Sequence, residues 1–198
     1  MNVERVSRVH AIGYGLEDVI FEASQDFKVD VAGVKISVRR GETSKMRYWV
    51  GRALEESGMG SMKLPDMVTA LKQALSKERI SGQKAFQTLE PLFYVKLKET
   101  MRRLEGRDYE RVHDMLLELF RMRNAKIVTK ASSMKLSADM NSKLTVEERT
   151  FYNTVHSACS EFEEQIMTTT SAEAGGDAAT TARRTPGSGS GGRPGGGR

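Results

Sequence analysis

The sequence predicts an α+β protein: a small N-terminal β-containing domain, a mainly α-helical domain of about four helices, and a disordered C-terminal tail. Three features of the 198 residues lead there. Residues 1–60 consist of short alternating runs punctuated by Gly13, Gly15, Gly33, Gly41, Gly51, Gly58 and Gly60, the texture of a small sheet. From Leu64 to about residue 167 the apolar spacing becomes that of amphipathic helices. Residues 168–198 hold half of the 18 glycines and almost nothing apolar, a composition that cannot offset the entropy of ordering.

Within residues 1–60 the clearest strands are Phe27-Val29-Val31 and Val34-Ile36-Val38, apolar at every second position and joined across Ala32-Gly33 as a hairpin. Arg39-Arg40-Gly41-Glu42 then turns away. Trp49, Val50, Ala53 and Leu54 fall at helical spacing in a short segment that ends at Gly58, so one short helix closes the module. Trp49 either anchors that core or faces a partner, and core packing is the favoured reading.

The helical domain, residues 64–167, opens with the stripe Leu64, Met67, Val68, Leu71, Ala74 and Leu75, with Pro65 in the first turn and Gly82 beyond the end. A second helix starts at Pro91 and turns Phe93, Leu97, Met101 and Leu104 inward before Gly106; residues 83–90 connect the two. The third, Asp108 to Met134, would be roughly 40 Å long at 1.5 Å per residue. Val112, Met115, Leu116, Leu119, Phe120, Ile127, Ala131 and Met134 share one broad face, while Leu117 and Val128 lie outside it, as in a helix covered on two sides. The fourth begins at a capping box, Thr145-Val146-Glu147-Glu148, and carries the stripe Phe151, Val155, Cys159, Phe162 and Ile166, which makes Cys159 a core residue.

The net charge of +5 with 31 basic and 26 acidic residues is a mild bias toward acidic partners. The tail's Arg183, Arg184, Arg193 and Arg198 allow a weak, salt-sensitive nucleic-acid contact, though a solubilising tail is the preferred reading. One cysteine excludes an intrachain disulfide and, with no leader and no long apolar run, points to a reducing cytosolic compartment without membrane insertion.

No catalytic, cofactor-binding or metal-ligating set emerges. His10, His113 and His156 are scattered, and no Cys/His or paired-carboxylate spacing suits a metal. Ile12-Gly13-Tyr14-Gly15 lacks the third glycine of a dinucleotide turn, and no serine or cysteine has an activating setting. The anomaly is on the third helix, where Arg123, Lys126 and Lys130 project with Val112, Leu116 and Ile127. Unpaired burial of such charges is costly. They either pair with carboxylates, Glu147 and Glu148 being the candidates, or meet an acidic partner; internal pairing is favoured.

Phe93-Tyr94 opening a helix, Arg123-Asn124-Ala125-Lys126-Ile127 late in a long one, and Leu144-Thr145-Val146-Glu147-Glu148-Arg149-Thr150-Phe151-Tyr152 opening the next follow in an order that resembles the helical domain of a GINS subunit. Val34 to Gly58 is similar to the family's small β domain. With that domain first, the chain resembles the archaeal type related to the second and third eukaryotic subunits.

The resemblance implies a non-catalytic scaffold without cofactor, a tetramer formed with a paralogous subunit or with itself. It implies partners in DNA replication: the hexameric replicative helicase, a RecJ-like protein and other fork proteins, in the cytoplasm at the nucleoid, or in the nucleus of a eukaryote. Phe93, Tyr94, Leu117, Arg123, Lys126, Val128, Phe151 and Tyr152 become the candidates for subunit-interface or structural roles, and Trp49 the candidate for partner docking. The competing reading is a protein that binds nucleic acid directly, through Arg102, Arg103, Arg107, Arg111, the third-helix bases and the tail. It lacks a recognition helix or stacking platform.

Overall fold

The N-terminal segment, glycine-rich as it is, starts as a helix: α1 spans Val3–Gly15 and buries Val6 and Tyr14. A computed structural model of the chain describes residues 3–31, 33–82 and 85–174. Gly13 and Gly15, read in the sequence as sheet punctuation, occupy the last turn of α1, where glycine ends helices cheaply.

Five strands follow around α2 (Tyr48–Glu56): β1 Asp18–Ala23, β2 Phe27–Val31, β3 Val34–Val38, β4 Thr43–Arg47 and β5 Gly60–Lys63. β1 is the centre of an antiparallel sheet ordered β4-β1-β5, and β2 pairs β3 as the expected hairpin, Phe27 opposite Val38 and Val29 opposite Ile36. Ala32, in the proposed turn, lies outside the described residues. Gly33 has φ 84°, which favours glycine, and its N–H donates to Asp30 Oδ1 at 2.9 Å. Phe21, Val38, Tyr48, Val50, Leu54 and Met62 form the core of this region, and Val95 of the helical part joins it. Trp49 is 38% exposed and so does not anchor that core. β4 runs to Arg47, so α2 begins only at Tyr48.

Gly60 sits where no side chain fits. A Cβ there would press on the backbone oxygen of Glu22 and lie 2.6 Å from the Phe21 ring. Gly60→Ala is therefore expected to cost about 3 kcal/mol of stability, the upper end for overpacking, read as a fall in urea midpoint.

The helices are α3 (Met67–Ser81), α4 (Phe93–Met101), α5 (Gly106–Ala131), the short α6 (Ala138–Lys143) and α7 (Val146–Ala174). α3 starts later than expected: Asp66 caps it by accepting from Thr69 N–H at 3.0 Å, which leaves Pro65 before the cap and Leu64 packed on the sheet core. Met67, Leu71, Leu75, Phe93, Leu97, Met101, Val112 and Leu119 join α3, α4 and α5 in a second core. Phe86, Ile127, Ala131, Met140, Leu144 and Tyr152 form a third, with α6 folded into the α5–α7 connection.

The chain divides into two units, Met1–Cys159 and Ser160–Arg198. In the second, Phe162 and Ile166 are more than half exposed, contrary to their expected inward stripe. Cys159 is only partly buried. α7 runs to Ala174, past Thr168 where the tail was expected to start; residues 175–198 lie outside the described residues. No described helix is long and apolar enough to cross a membrane.

Candidate functional site

Arg123 and Lys126 are one turn apart on α5 and face inward, 1% and 3% exposed. Their partners come from two other helices. Arg123 makes a two-pronged contact with Glu148 of α7, Nε to Oε1 at 2.6 Å and Nη2 to Oε2 at 2.8 Å, and Nη1 donates to Glu78 Oε2 of α3 at 2.9 Å. Lys126 Nζ donates to the other oxygen of Glu78, to Ser81 Oγ and to the Ala85 carbonyl. Two cations thus meet two carboxylates, and the charge closes on itself.

Backbone groups complete the set. Arg123 also donates to the carbonyls of Gln87 (2.9 Å) and Lys143 (3.2 Å), and its guanidinium lies 5.5 Å from the Phe86 ring centroid. Tyr94 Oη of α4 donates to Glu148 Oε1 at 2.7 Å. One guanidinium and its two carboxylates therefore pin α3, the 85–90 connector, α4, α5 and α7 to one another. Burial alone would push the Arg123 guanidinium down, but the hydrogen bonds and charge of Glu148 outweigh it and hold the group above its ordinary value. Burial, followed by the Glu148 charge, pushes the Tyr94 phenol well up, so it stays a donor.

Glu148 is held in place by the capping box: Thr145 N–H donates to Glu148 Oε2 at 3.0 Å and Glu148 N–H to Thr145 Oγ1 at 3.3 Å. Thr145 is fully buried. Thr145→Ala is expected to cost about 1–2 kcal/mol, at the strong end for a cap, measured by thermal or urea unfolding.

On the outer side of this cluster lies an apolar groove of about 550 Å³ between α1, α4, α5 and α7. Ala11, Val95, Leu116, Leu117, Phe120 and Phe151 are among its walls. Phe120, expected on the buried face of α5, is 51% exposed, because the other helices do not cover that part of the circumference. Arg8, Lys98, Glu99 and Arg102 also line the groove; Arg8 pairs with Glu4 at 2.7 Å and Arg102 with Glu99 at 2.8 Å. Glu147 lines it too, while both of its carboxylate oxygens are out of solvent and have no hydrogen-bond partner among the described residues.

Of the residues singled out by sequence, Arg123, Lys126 and Tyr94 meet in the ion cluster, while Leu117 and Phe151 meet at the groove. Phe93 and Tyr152 are core; Tyr152 Oη donates to the Met134 carbonyl at 2.9 Å. Val128 is exposed, away from the groove, and Trp49 stands apart on α2. Of the two suggested partners for the α5 bases, Glu148 serves and Glu147 does not. The missed partner is Glu78. Its signal was present: Met67, Leu71, Leu75 and Glu78 continue one inward stripe, a buried acid matching buried bases.

Four of the cations that favoured direct nucleic-acid binding are engaged within the chain, whereas Arg107 and Arg111 are exposed. Arg102 pairs with Glu99, Arg103 with Glu55 at 2.7 Å, and Arg123 and Lys126 are buried. Among the described residues no cluster of three or more His, Cys, Asp or Glu could hold a metal ion.

No curated protein matches the chain significantly. Residues 66–167, more than half of the sequence, match the Sld5 family model, the GINS complex protein helical bundle domain. That span contains every residue of the ion cluster and most of the groove, so the part of the fold with the most specific chemistry is also the part that is shared. The chain belongs to the GINS family of DNA-replication complex proteins.

Proposed function

We propose that this chain is a non-catalytic scaffold subunit of a GINS-like complex, and that its open groove receives a helix of a neighbouring subunit. The supporting observation is the exposure of Phe120 beside Leu117 and Phe151 in the groove between α1, α4, α5 and α7. Apolar surface of this kind stabilises an assembly at about 25 cal/mol per Å² buried and is a liability when left in water. The ion cluster behind it keeps the walls in register, since α4, α5 and α7 all hold Glu148 or its partners.

In this reading the complex is a tetramer built with a paralogous subunit or with further copies of the chain. It connects the hexameric replicative helicase, a RecJ-like protein and other fork proteins, in whichever compartment holds the DNA. The sheet region precedes the helical bundle that starts at α3, consistent with the archaeal arrangement, and exposed Trp49 is its candidate contact for a fork partner. Co-expression with the family's other subunits followed by native mass spectrometry tests the proposal. A four-chain species is expected; a lone monomer under every co-expression would overturn it.

Direct DNA binding has less support, because Arg102 and Arg103 are paired and Arg123 and Lys126 are buried against carboxylates, which leaves Arg107 and Arg111 as the exposed bases of that set on the described helices. Filter-binding titration is expected to show weak association at physiological salt. Tight binding whose logarithm falls steeply with the logarithm of salt concentration would favour the other reading.

A further inference from the structure

Apart from the groove, the chain keeps a second apolar surface outside its own fold. α1 turns Val6 and Tyr14 inward, the Tyr14 ring centred 4.7 Å from that of Tyr48, and gives Val3, Ser7 and Ala11 to the groove. Its outer side carries Val9, Ile12 and Leu16, which are 64%, 68% and 56% exposed. Leu16 lies just past the helix but continues its turn, since its N–H donates to the Gly13 carbonyl at 3.0 Å. Arg5, Val9, Ile12 and Leu16 follow one another at steps of four, three and four residues, the spacing of a seam between two helices rather than of scattered surface residues.

The two ends of the seam carry opposite charge. Arg5 opens it and Glu17 follows Leu16; both are exposed, and neither has an ion pair among the described residues. A Cβ at Gly13, beside the seam, would meet nothing within 4 Å in the chain itself, so the bare backbone there is open to a close neighbour. A second α1 laid antiparallel matches all of this. With a two-fold axis midway between Val9 and Ile12, Val9 of each copy faces Ile12 of the other, Leu16 covers the aliphatic stem of Arg5, and the guanidinium reaches Glu17. A parallel pair would instead set Arg5 on Arg5 and Glu17 on Glu17. We propose that two copies of this chain associate through the outer face of α1, antiparallel and two-fold related. Such a self-complementary patch closes as a pair and does not propagate. Three aliphatic side chains a copy fall short of the roughly 800 Å² per partner of a standard interface, so the contact is weak alone and strengthens where other surfaces hold the copies together.

Covalent trapping in the full-length chain tests this, in a Cys159→Ser background so that only introduced thiols react. Copies carrying Val9→Cys are mixed with differently tagged copies carrying Ile12→Cys and mildly oxidised. The mixed disulfide is expected to form at least about tenfold faster than one between Ala11→Cys copies, whose position is also exposed but faces the groove. Arg5→Glu and Glu17→Arg are each expected to slow the mixed cross-link about threefold, and the two combined in one chain to restore it. Cross-linking no faster than in the Ala11→Cys control would overturn the proposal. Rates unmoved by either reversal, or slowed by each without recovery in the combination, would overturn antiparallel self-pairing and assign the face to a different chain. The measurement needs no other subunit, so it stands or falls apart from the groove reading.

Discussion

Arg123→Met is expected to destabilise the chain by about 3–5 kcal/mol, the range for removing one partner of a buried charge pair. Arg123 is 1% exposed and makes hydrogen bonds to two carboxylates and two carbonyls. Methionine can fill much of the volume but compensates none of them. Glu148 would keep Tyr94 and the Thr145 cap, whereas Glu78 would keep only Lys126 and the Gln87 N–H. Urea unfolding measures the loss, and a value below about 1 kcal/mol would show that the cluster is not what fastens these helices. Adding Glu148→Gln should cost less in the Arg123→Met background than in wild type, because residues of one network are not additive.

Phe120→Asp is expected to abolish assembly, weakening it by a factor of about 30 or more, while the isolated chain melts within a few degrees of wild type. The two halves of that prediction have one origin. Phe120 is 51% exposed in the single chain, so its removal leaves the cores intact. In an assembled groove the same position would be dry, and a carboxylate there would be buried without a partner. Size-exclusion chromatography with circular dichroism separates the outcomes. A misfolded variant would mean that Phe120 belongs to the chain's own core after all.

Much of the helical part was readable because its local rules and its tertiary demands agree. Thr145 and Glu148 announce the start of α7, and the same two side chains cap it in the structure. Of the displaced bases Arg123, Lys126 and Lys130, which called for internal carboxylates, the first two have them, whereas Lys130 is only half-buried and has no ion pair among the described residues. Glu78 escaped notice because a lone acid extending an apolar stripe looks like the end of the stripe. Only the positive charges on a helix far away in sequence give it meaning.

The N-terminal region was less legible for a different reason. β1, β4 and β5 are four to six residues long and carry charges such as Glu22, Lys45 and Lys63 on their open face. Their pairing, Ile20 opposite both Lys45 and Lys63, exists only once β1 lies between partners distant in the chain. Glycines that look like turns proved to end α1. In α5 and α7 the apolar pattern is wider or longer than the chain's own cover: Phe120 and Phe162 continue inward stripes yet face out. Sequence periodicity reports that a surface wants covering without saying whether the cover comes from the same chain.

The most direct test is hydroxyl-radical footprinting of Phe120 and Leu117 in the isolated chain and in its co-expressed assembly. Both side chains should react in the free chain, Phe120 more strongly, and both should be protected several-fold once the complex forms. Equal labelling of Phe120 in the free and assembled states would contradict the claim that this groove is where the chain meets its neighbour.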